Sequence, residues 1–267
     1  MNLCRFESVK QVAVSGDIHG DFEGIFRKIS GFEDLLLIVA GDCGFGFETK
    51  ERHLLQLQNL SKKYLVKGNN YVAFVRGNHD NPAYFEPAKG SEKTPVWLKH
   101  CRTIPDYVVI EAAGLRVLCL GGAVSIDRRL RKRWMVENDI RPDGPFDRSY
   151  YWPGELPLFA FEALGELCRE TTLDAVVSHT APSFCAPITK DGIMEWTRAD
   201  DQLYADVTAE RRTLDEVYAF LKEHRRLPKE WFYGHYHFSS WQDEDGCHFR
   251  LLDIEEIAPL SLRCPSF

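Results

Sequence analysis

The chain of 267 residues carries 40 acidic and 33 basic side chains, a formal charge of −7, and 44% hydrophobic residues. That length and apolar content suffice for the core of one large α/β domain, and the acidic balance argues against a protein that mainly grips duplex DNA through its phosphates. Eight cysteines are scattered without a Cys-x-x-Cys pair, no apolar stretch approaches the ~18 residues of a membrane span, and MNLCRFESVK has no signal-peptide core; a cytoplasmic enzyme with reduced thiols is expected.

A first apolar run, residues 12–15, stops at Gly16-Asp17-Ile18-His19-Gly20, after which Phe22, Ile25, Phe26 and Ile29 recur at helical spacing. The pattern is strand, glycine-bracketed loop and helix, with Asp21 as the helix N-cap. Asp17 and His19 are two residues apart, so both side chains leave an extended segment on the same side, as two ligands of one metal need. Residues 35–40 form a second buried run ending in Gly41-Asp42, followed by the flexible Cys43-Gly-Phe-Gly-Phe47. A helix over 51–64 is expected next, with Leu54, Leu55, Leu57 and Leu60 on its buried side and His53 at the surface or boundary. The third run, 71–75, leads to Gly77 and then Asn78-His79-Asp80. Asn offers a neutral oxygen ligand, His a ligand or a proton donor, and Asp a partner that fixes the imidazole tautomer. In isolation such a tripeptide is equally a polar turn, so the other strand ends have to decide.

Residues 81–101, with four prolines or glycines, read as loop with a helical turn over 82–85. Runs at 107–110 and 115–120 pair across Ala112-Ala113-Gly114, and the second ends in Gly121-Gly122. From 123 to 158 the chain is rich in Arg, Asp, Pro, Tyr and Trp and lacks periodicity. It reads as an irregular insertion, either a solvated face or a substrate loop, in which the charge run Arg128 to Arg133 is followed by aromatics including Tyr151-Trp152. Helical spacing resumes over 159–170, a buried run at 173–178 delivers His179, and a helix spans 214–223. Trp231-Phe-Tyr-Gly234 then leads into His235-Tyr236-His237, and two imidazoles one residue apart at a strand end are a stronger ligand signal than a lone His. Strands near 238–241 and 247–252 close the chain.

Collected, Asp17, His19, Asp42, Asn78, His179, His235 and His237 each follow a buried run, with His79 and Asp80 beside them. Carboxylates and imidazoles without thiolate suit Mn²⁺, Fe or Zn²⁺, Mn²⁺ first, over Ca²⁺ or a structural zinc. Seven ligands exceed one tetrahedral ion and suffice for two ions about 3.5–4 Å apart.

The order Asp-x-His, Gly-Asp, Gly-Asn-His-Asp, Ser-His and Gly-His-x-His, running from Asp17 to His237, closely resembles the calcineurin-like metallophosphoesterases. The resemblance implies an α/β fold with two mixed β-sheets packed as a sandwich, flanked by helices, with a dinuclear site at the strand ends of a single domain over 1–267. By motif, Asp17, His19 and His237 would hold one metal, Asn78, His179 and His235 the other, and Asp42 would bridge them. His79 would serve as acid near the leaving group, oriented by Asp80. The implied reaction is hydrolysis of a soluble phosphate mono- or diester by a metal-bound hydroxide. Two departures stand out. Ser178 occupies a position where many members have glycine, and Cys43-Gly follows Gly41-Asp42 where the protein Ser/Thr phosphatase branch has Asp-Arg, so a phosphoprotein phosphatase is not expected. Arg128 and Arg131 are candidates for gripping the substrate anion, and Tyr151 or Trp152 for stacking on a base or aryl group. A nuclease or cyclic-nucleotide phosphodiesterase acting on short nucleic acid or nucleotide is the rival enzyme. A non-enzymatic metal-binding scaffold predicts eroded ligands, and none is lost. Composition leaves the oligomeric state open.

Overall fold

The computed structural model describes residues 3–86, 98–140, 151–152, 154–190 and 192–260. Among the described residues, twelve strands form two sheets. In chain order the strands are β1 (Leu3–Phe6), β2 (Gln11–Ser15), β3 (Leu35–Val39), β4 (Tyr71–Phe74), β5 (Cys101–Thr103), β6 (Val109–Ala112), β7 (Leu115–Leu120), β8 (Ala175–Ser178), β9 (Glu230–Tyr233), β10 (Ser240–Glu244), β11 (Cys247–Leu251) and β12 (Ile257–Leu260). One sheet has the order β1-β6-β7-β8-β9-β11-β10 and the other β12-β2-β3-β4-β5. Both are mixed: β2, β3, β4 and β5 run parallel with β12 antiparallel, and β7, β8, β9 and β11 run parallel with antiparallel β6 and β10.

The alternation of side chains along the strands divides the core into three layers. Leu36 and Ile38 of β3 point between the sheets with Val12, Val14, Val117, Val177 and Phe232, whereas Leu37 and Val39 point outward. On that outer face Ile25, Phe26 and Ile29 of α1 (Phe22–Ile29) and Leu57 and Leu60 of α2 (Lys50–Leu60) cover them. Over the other sheet, α4 (Phe161–Glu170) and α6 (Leu203–Glu223) contribute Leu164, Leu167, Leu214 and Val217 against Leu118, Val176 and Trp231. The result is helix, sheet, sheet, helix, as the resemblance implies. Asp21 caps α1, accepting from the Gly24 N–H at 2.8 Å.

Several local expectations need correction. Leu55 is 59% exposed, while His53 is buried and its Nε2 accepts from the N–H groups of Gly46 and Glu48 at 3.0 and 3.2 Å. The long helix α6 begins at Leu203, eleven residues before 214. The stretch 123–158 is not irregular throughout, since Arg128–Glu137 forms α3. Its Arg, Leu, Lys, Met and Glu residues have good helix propensity, but only Arg128 and Met135 are buried, so no apolar stripe betrays the helix. The remainder of that expectation, 141–150 and Pro153, lies outside the described residues, as do 87–97 of the expected loop and Cys264. A short helix, α5 (Ile193–Thr197), precedes α6. Among the described residues no helix is long and apolar enough to cross a membrane.

Candidate metal centre

Parallel pairing sends β2, β3 and β4 out of one sheet at a common edge, and β8 and β9 leave the other sheet likewise. Their first residues beyond the strands are the loops that carry Asp17, His19, Asp42, Asn78, His179, His235 and His237. Four of these seven, His19, Asp42, His235 and His237, adopt positive φ between 44° and 71°. Non-glycine residues rarely do so, and such backbone strain persists where surrounding structure over-determines it. Two glycines let the loops close in. A Cβ on Gly41, whose φ is +98°, would sit 2.2 Å from His179 Nδ1, and one on Gly77 would sit 2.1 Å from the Asp42 backbone nitrogen.

The side chains fall into two groups that share Asp42. Asp17, His19, Asp42 and His237 place one donor atom each within 4.8 Å of one another, and so do Asp42, His179 and His235. In the first group His237 Nε2 is 3.1 Å from Asp17 Oδ2 and 3.1 Å from His19 Nε2. In the second, His179 Nε2 lies 3.2 Å from Asp42 Oδ1 and 3.0 Å from Asn78 Oδ1, which adds Asn78 to that group. The second group is sealed, with Asp42, Asn78, His179 and His235 all at most 3% exposed. The first opens to solvent through His19 and His237.

Each donor is aimed by a neighbour. Asp17 and Asp42 both accept a backbone N–H through Oδ1, from His235 at 2.9 Å and from His79 at 2.8 Å, which leaves Oδ2 of each buried without a hydrogen-bond partner. The Nδ1–H of His179 donates to the Ala40 carbonyl at 2.8 Å, fixing the tautomer whose Nε2 lone pair faces the cluster. Asn78 donates its amide to Ser125 Oγ at 2.9 Å, so Oδ1 is the atom turned inward. Ser125 in turn is held by Glu155, its hydroxyl donating at 2.7 Å and its N–H at 3.1 Å. Ser125 and Glu155 escaped the sequence reading because nothing local links two polar residues thirty positions apart.

One buried acid is coupled electrostatically to the imidazoles around it. Burial alone would raise the Asp42 carboxyl, yet His79 and His179 hold it well below its usual range. Burial would likewise lower His179, yet Asp42 lifts it to about 9. His235, buried and near the Lys190 charge, is pushed well down. Convergent lone pairs on Asp17, Asp42, Asn78 and His179, together with the unpartnered Nδ1 of buried His235, fit divalent ions better than protons.

His79 and Asp80 occupy different places. Burial lowers His79 to about 4, with Asp42 opposing and Arg131 reinforcing the shift; its Nε2 lies 3.8 Å from Asp42 Oδ2 and accepts from Arg131 Nη2 at 2.6 Å. Asp80 does not orient that ring. Its carboxylate accepts four backbone N–H groups, from Gly44 and Phe45 on one oxygen and from Cys43 and Gly77 on the other, at 2.7–3.0 Å. It therefore clamps the loop after β3 to the loop after β4. Arg128 is turned away from the cluster, its Nε 2.7 Å from Asp200 and its Nη1 2.6 Å from Asp206. Trp152, expected as a stacking surface, is 3% exposed and lies over Gly46, where a Cβ would come within 2.5 Å of the indole. Tyr151 carries Lys132 Nζ over its ring at 4.4 Å.

The sequence profile of a family described as calcineurin-like phosphoesterase matches residues 10–245. No curated protein sequence matches significantly. Similar solved structures include phosphopantetheinyl hydrolase from Mycobacterium tuberculosis, 14% identical over 97% of this chain and 98% of that one with a TM-score of 0.45. GAP50 of the inner membrane complex of Plasmodium is 12% identical over 91% and 71% with a TM-score of 0.38. A cold-active protein-tyrosine phosphatase from a psychrophilic Shewanella is 12% identical over 96% and 76% with a TM-score of 0.37.

Proposed function

We propose that this chain, which belongs to the calcineurin-like phosphoesterase family, is a two-metal hydrolase of a small phosphate mono- or diester. Hydrolysis of phosphoester bonds is the activity of the family. The observation that carries the two-metal reading is the sharing of one buried carboxylate, Asp42, by both donor groups. Asp17, His19 and His237 would complete one position and Asn78, His179 and His235 the other. A donor set of carboxylate, imidazole and amide oxygen favours Mn²⁺, with Fe and Zn²⁺ as alternatives. Bound there, two divalent ions lower the pKa of a water towards ~7 and offset charge on the phosphoryl oxygens.

The chain's own residues supply the rest. Arg131, 2.6 Å from His79, would take a phosphoryl oxygen, and on doing so would free the His79 Nε2 lone pair to take up a proton from solvent and pass it to the departing oxygen. Arg128 contributes indirectly by fixing the helix that bears Arg131. The seven described cysteines are buried and free, which supports a reducing compartment such as the cytoplasm. Metal analysis combined with a panel of mono- and diesters assayed with Mn²⁺, Zn²⁺ and Fe tests the assignment. About two ions per chain and metal-dependent turnover of at least one ester are expected; one ion per chain at full activity would overturn the dinuclear reading.

A further inference from the structure

We infer that α3 forms the leaving-group site and that the natural leaving group is planar and aromatic. The inference rests on the phosphoesterase reading above. A cavity of about 490 Å³ opens beside the metal centre, lined by His79, Leu130, Arg131, Arg133, Trp134 and Glu137. Five of those six residues come from one helix. Leu130 and Trp134 are four apart, as are Arg133 and Glu137, and Arg131 and Trp134 are three apart, so they share one side of the helix.

The helix presents these residues the wrong way round for simple folding. Its inward side carries a cation, Arg128, paired with Asp200 and Asp206, beside a single apolar residue, Met135, while Leu130 and Trp134 are 57% and 40% exposed. Large apolar side chains facing a concavity whose wall includes a proton-transfer candidate mark a ligand site more readily than a solubility accident. The volume falls within the ~300–1,000 Å³ of pockets that hold whole small molecules, well beyond what a bare phosphate needs.

Position and chemistry then select the ligand. His79 lies in the cavity wall and within reach of Asp42, so an ester whose phosphorus sits at the metal centre and whose departing oxygen meets His79 must send its leaving group into this cavity. Arg131 at the junction suits the phosphoryl anion. Beyond it, the cavity wall combines the Trp134 indole, 40% exposed, with the apolar Leu130 and the Arg133–Glu137 pair, 2.8 Å apart. A planar aromatic ring on Trp gains an aromatic-pair contribution beyond its area burial that a saturated ring of similar size does not.

The test uses three non-hydrolysable phosphonates on the full, metal-loaded chain: methylphosphonate, 1-naphthylmethylphosphonate and cyclohexylmethylphosphonate, with Kd from calorimetry. The naphthyl compound is expected to bind about tenfold more tightly than the methyl one, with the cyclohexyl compound well behind it. Trp134→Ala and Leu130→Ala should each erase most of that advantage while methylphosphonate binds as before, and Trp134→Phe should restore it. Methylphosphonate binding without a naphthyl advantage, or an advantage that survives both alanine variants, overturns the aromatic site and leaves the phosphoesterase reading intact. A cyclohexyl compound as tight as the naphthyl overturns planarity. Failure of all three phosphonates and of inorganic phosphate to bind, with no ester hydrolysed, overturns both readings.

Discussion

The donor cluster and helix α3 face each other across His79, but they are secured by different means. In the cluster, backbone N–H groups hold Asp17, Asp42 and Asp80, a carbonyl holds His179, and loops with left-handed residues hold the rest. Almost every constraint there comes from main chain leaving a buried strand. Helix α3 is hung from side chains instead: Arg128 on Asp200 and Asp206, and Arg131 on His79. Main-chain constraints are shared by any sequence that keeps the strands and glycines, whereas side-chain anchors change with one substitution. The difference implies that the cluster sets the chemistry and the helix sets the substrate, so damage to each should register in a different measurement.

The largest effect is expected from Asp42→Asn, because a shared carboxylate offsets the repulsion between two cations and an amide does not. Metal content should fall below two ions per chain, and kcat should fall by about 10³-fold or more. Elemental analysis and steady-state kinetics check this together. Two ions per chain with normal turnover would remove Asp42 from the bridging position.

His79 stands on the boundary between the regions, and its variant should separate chemistry from coordination. His79→Ala should keep both metals and lose about 10²–10⁴-fold on an alkyl phosphate. On a 4-nitrophenyl ester, whose phenolate departs with little protonation, the loss should be much smaller. Equal losses on both esters, or a missing ion, would make His79 a structural residue or a ligand.

Arg128→Ala tests the hanging of α3 directly. Its guanidinium touches no donor residue and Arg131 keeps its own ties to Asp127 and His79, so metals and kcat on a small ester should stay within about twofold, while KM for an ester with a bulky leaving group should rise about tenfold as Leu130 and Trp134 lose their placement. Parallel assays on methyl and naphthyl phosphates give the split. A matching fall in kcat on both would tie α3 to the chemistry.

The same contrast explains what the sequence disclosed. Asp17, Asp42, Asn78, His179 and His235 are legible because an apolar run followed by a glycine or serine and a polar residue is a local signal, and parallel strands place such ends together. Asp80 was visible as a residue but not as a clamp, since its four partners are backbone groups in a loop thirty-odd positions away and at Gly77. His53 was misplaced for a related reason: the N–H groups it accepts belong to the loop that precedes its helix. Helix α3 was missed because periodicity reports burial, and this helix buries an arginine whose acids arrive 72 and 78 positions later. Strand β12, with Pro259 at the edge of its sheet, and the three-residue β5 carry too little pattern to register.

The smallest effect belongs to the buried link behind Asn78. Glu155 lies outside the strand ends yet reaches Asn78 through Ser125. Burial raises its carboxyl from an ordinary 4.5 to about 7 against the two hydrogen bonds from Ser125. A carboxyl whose folded pKa exceeds its unfolded value costs nothing below about 4.5, where both states are protonated. Stability is then lost as pH rises from there to about 7, and the full penalty applies above. At 1.36 kcal/mol per pH unit the window corresponds to about 3 kcal/mol as an upper bound. Glu155→Gln cannot ionise, so relative to the parent its melting temperature should be several degrees higher at pH 8 than at pH 5, with every other titrating group cancelling in the difference. Ser125→Ala, which cuts the link to Asn78, should leave that pH dependence in place but weaken metal binding several-fold. Parallel pH profiles for the parent and Glu155→Gln would mean that Glu155 is ionised at no cost, and the buried link would then be a charge-stabilised one.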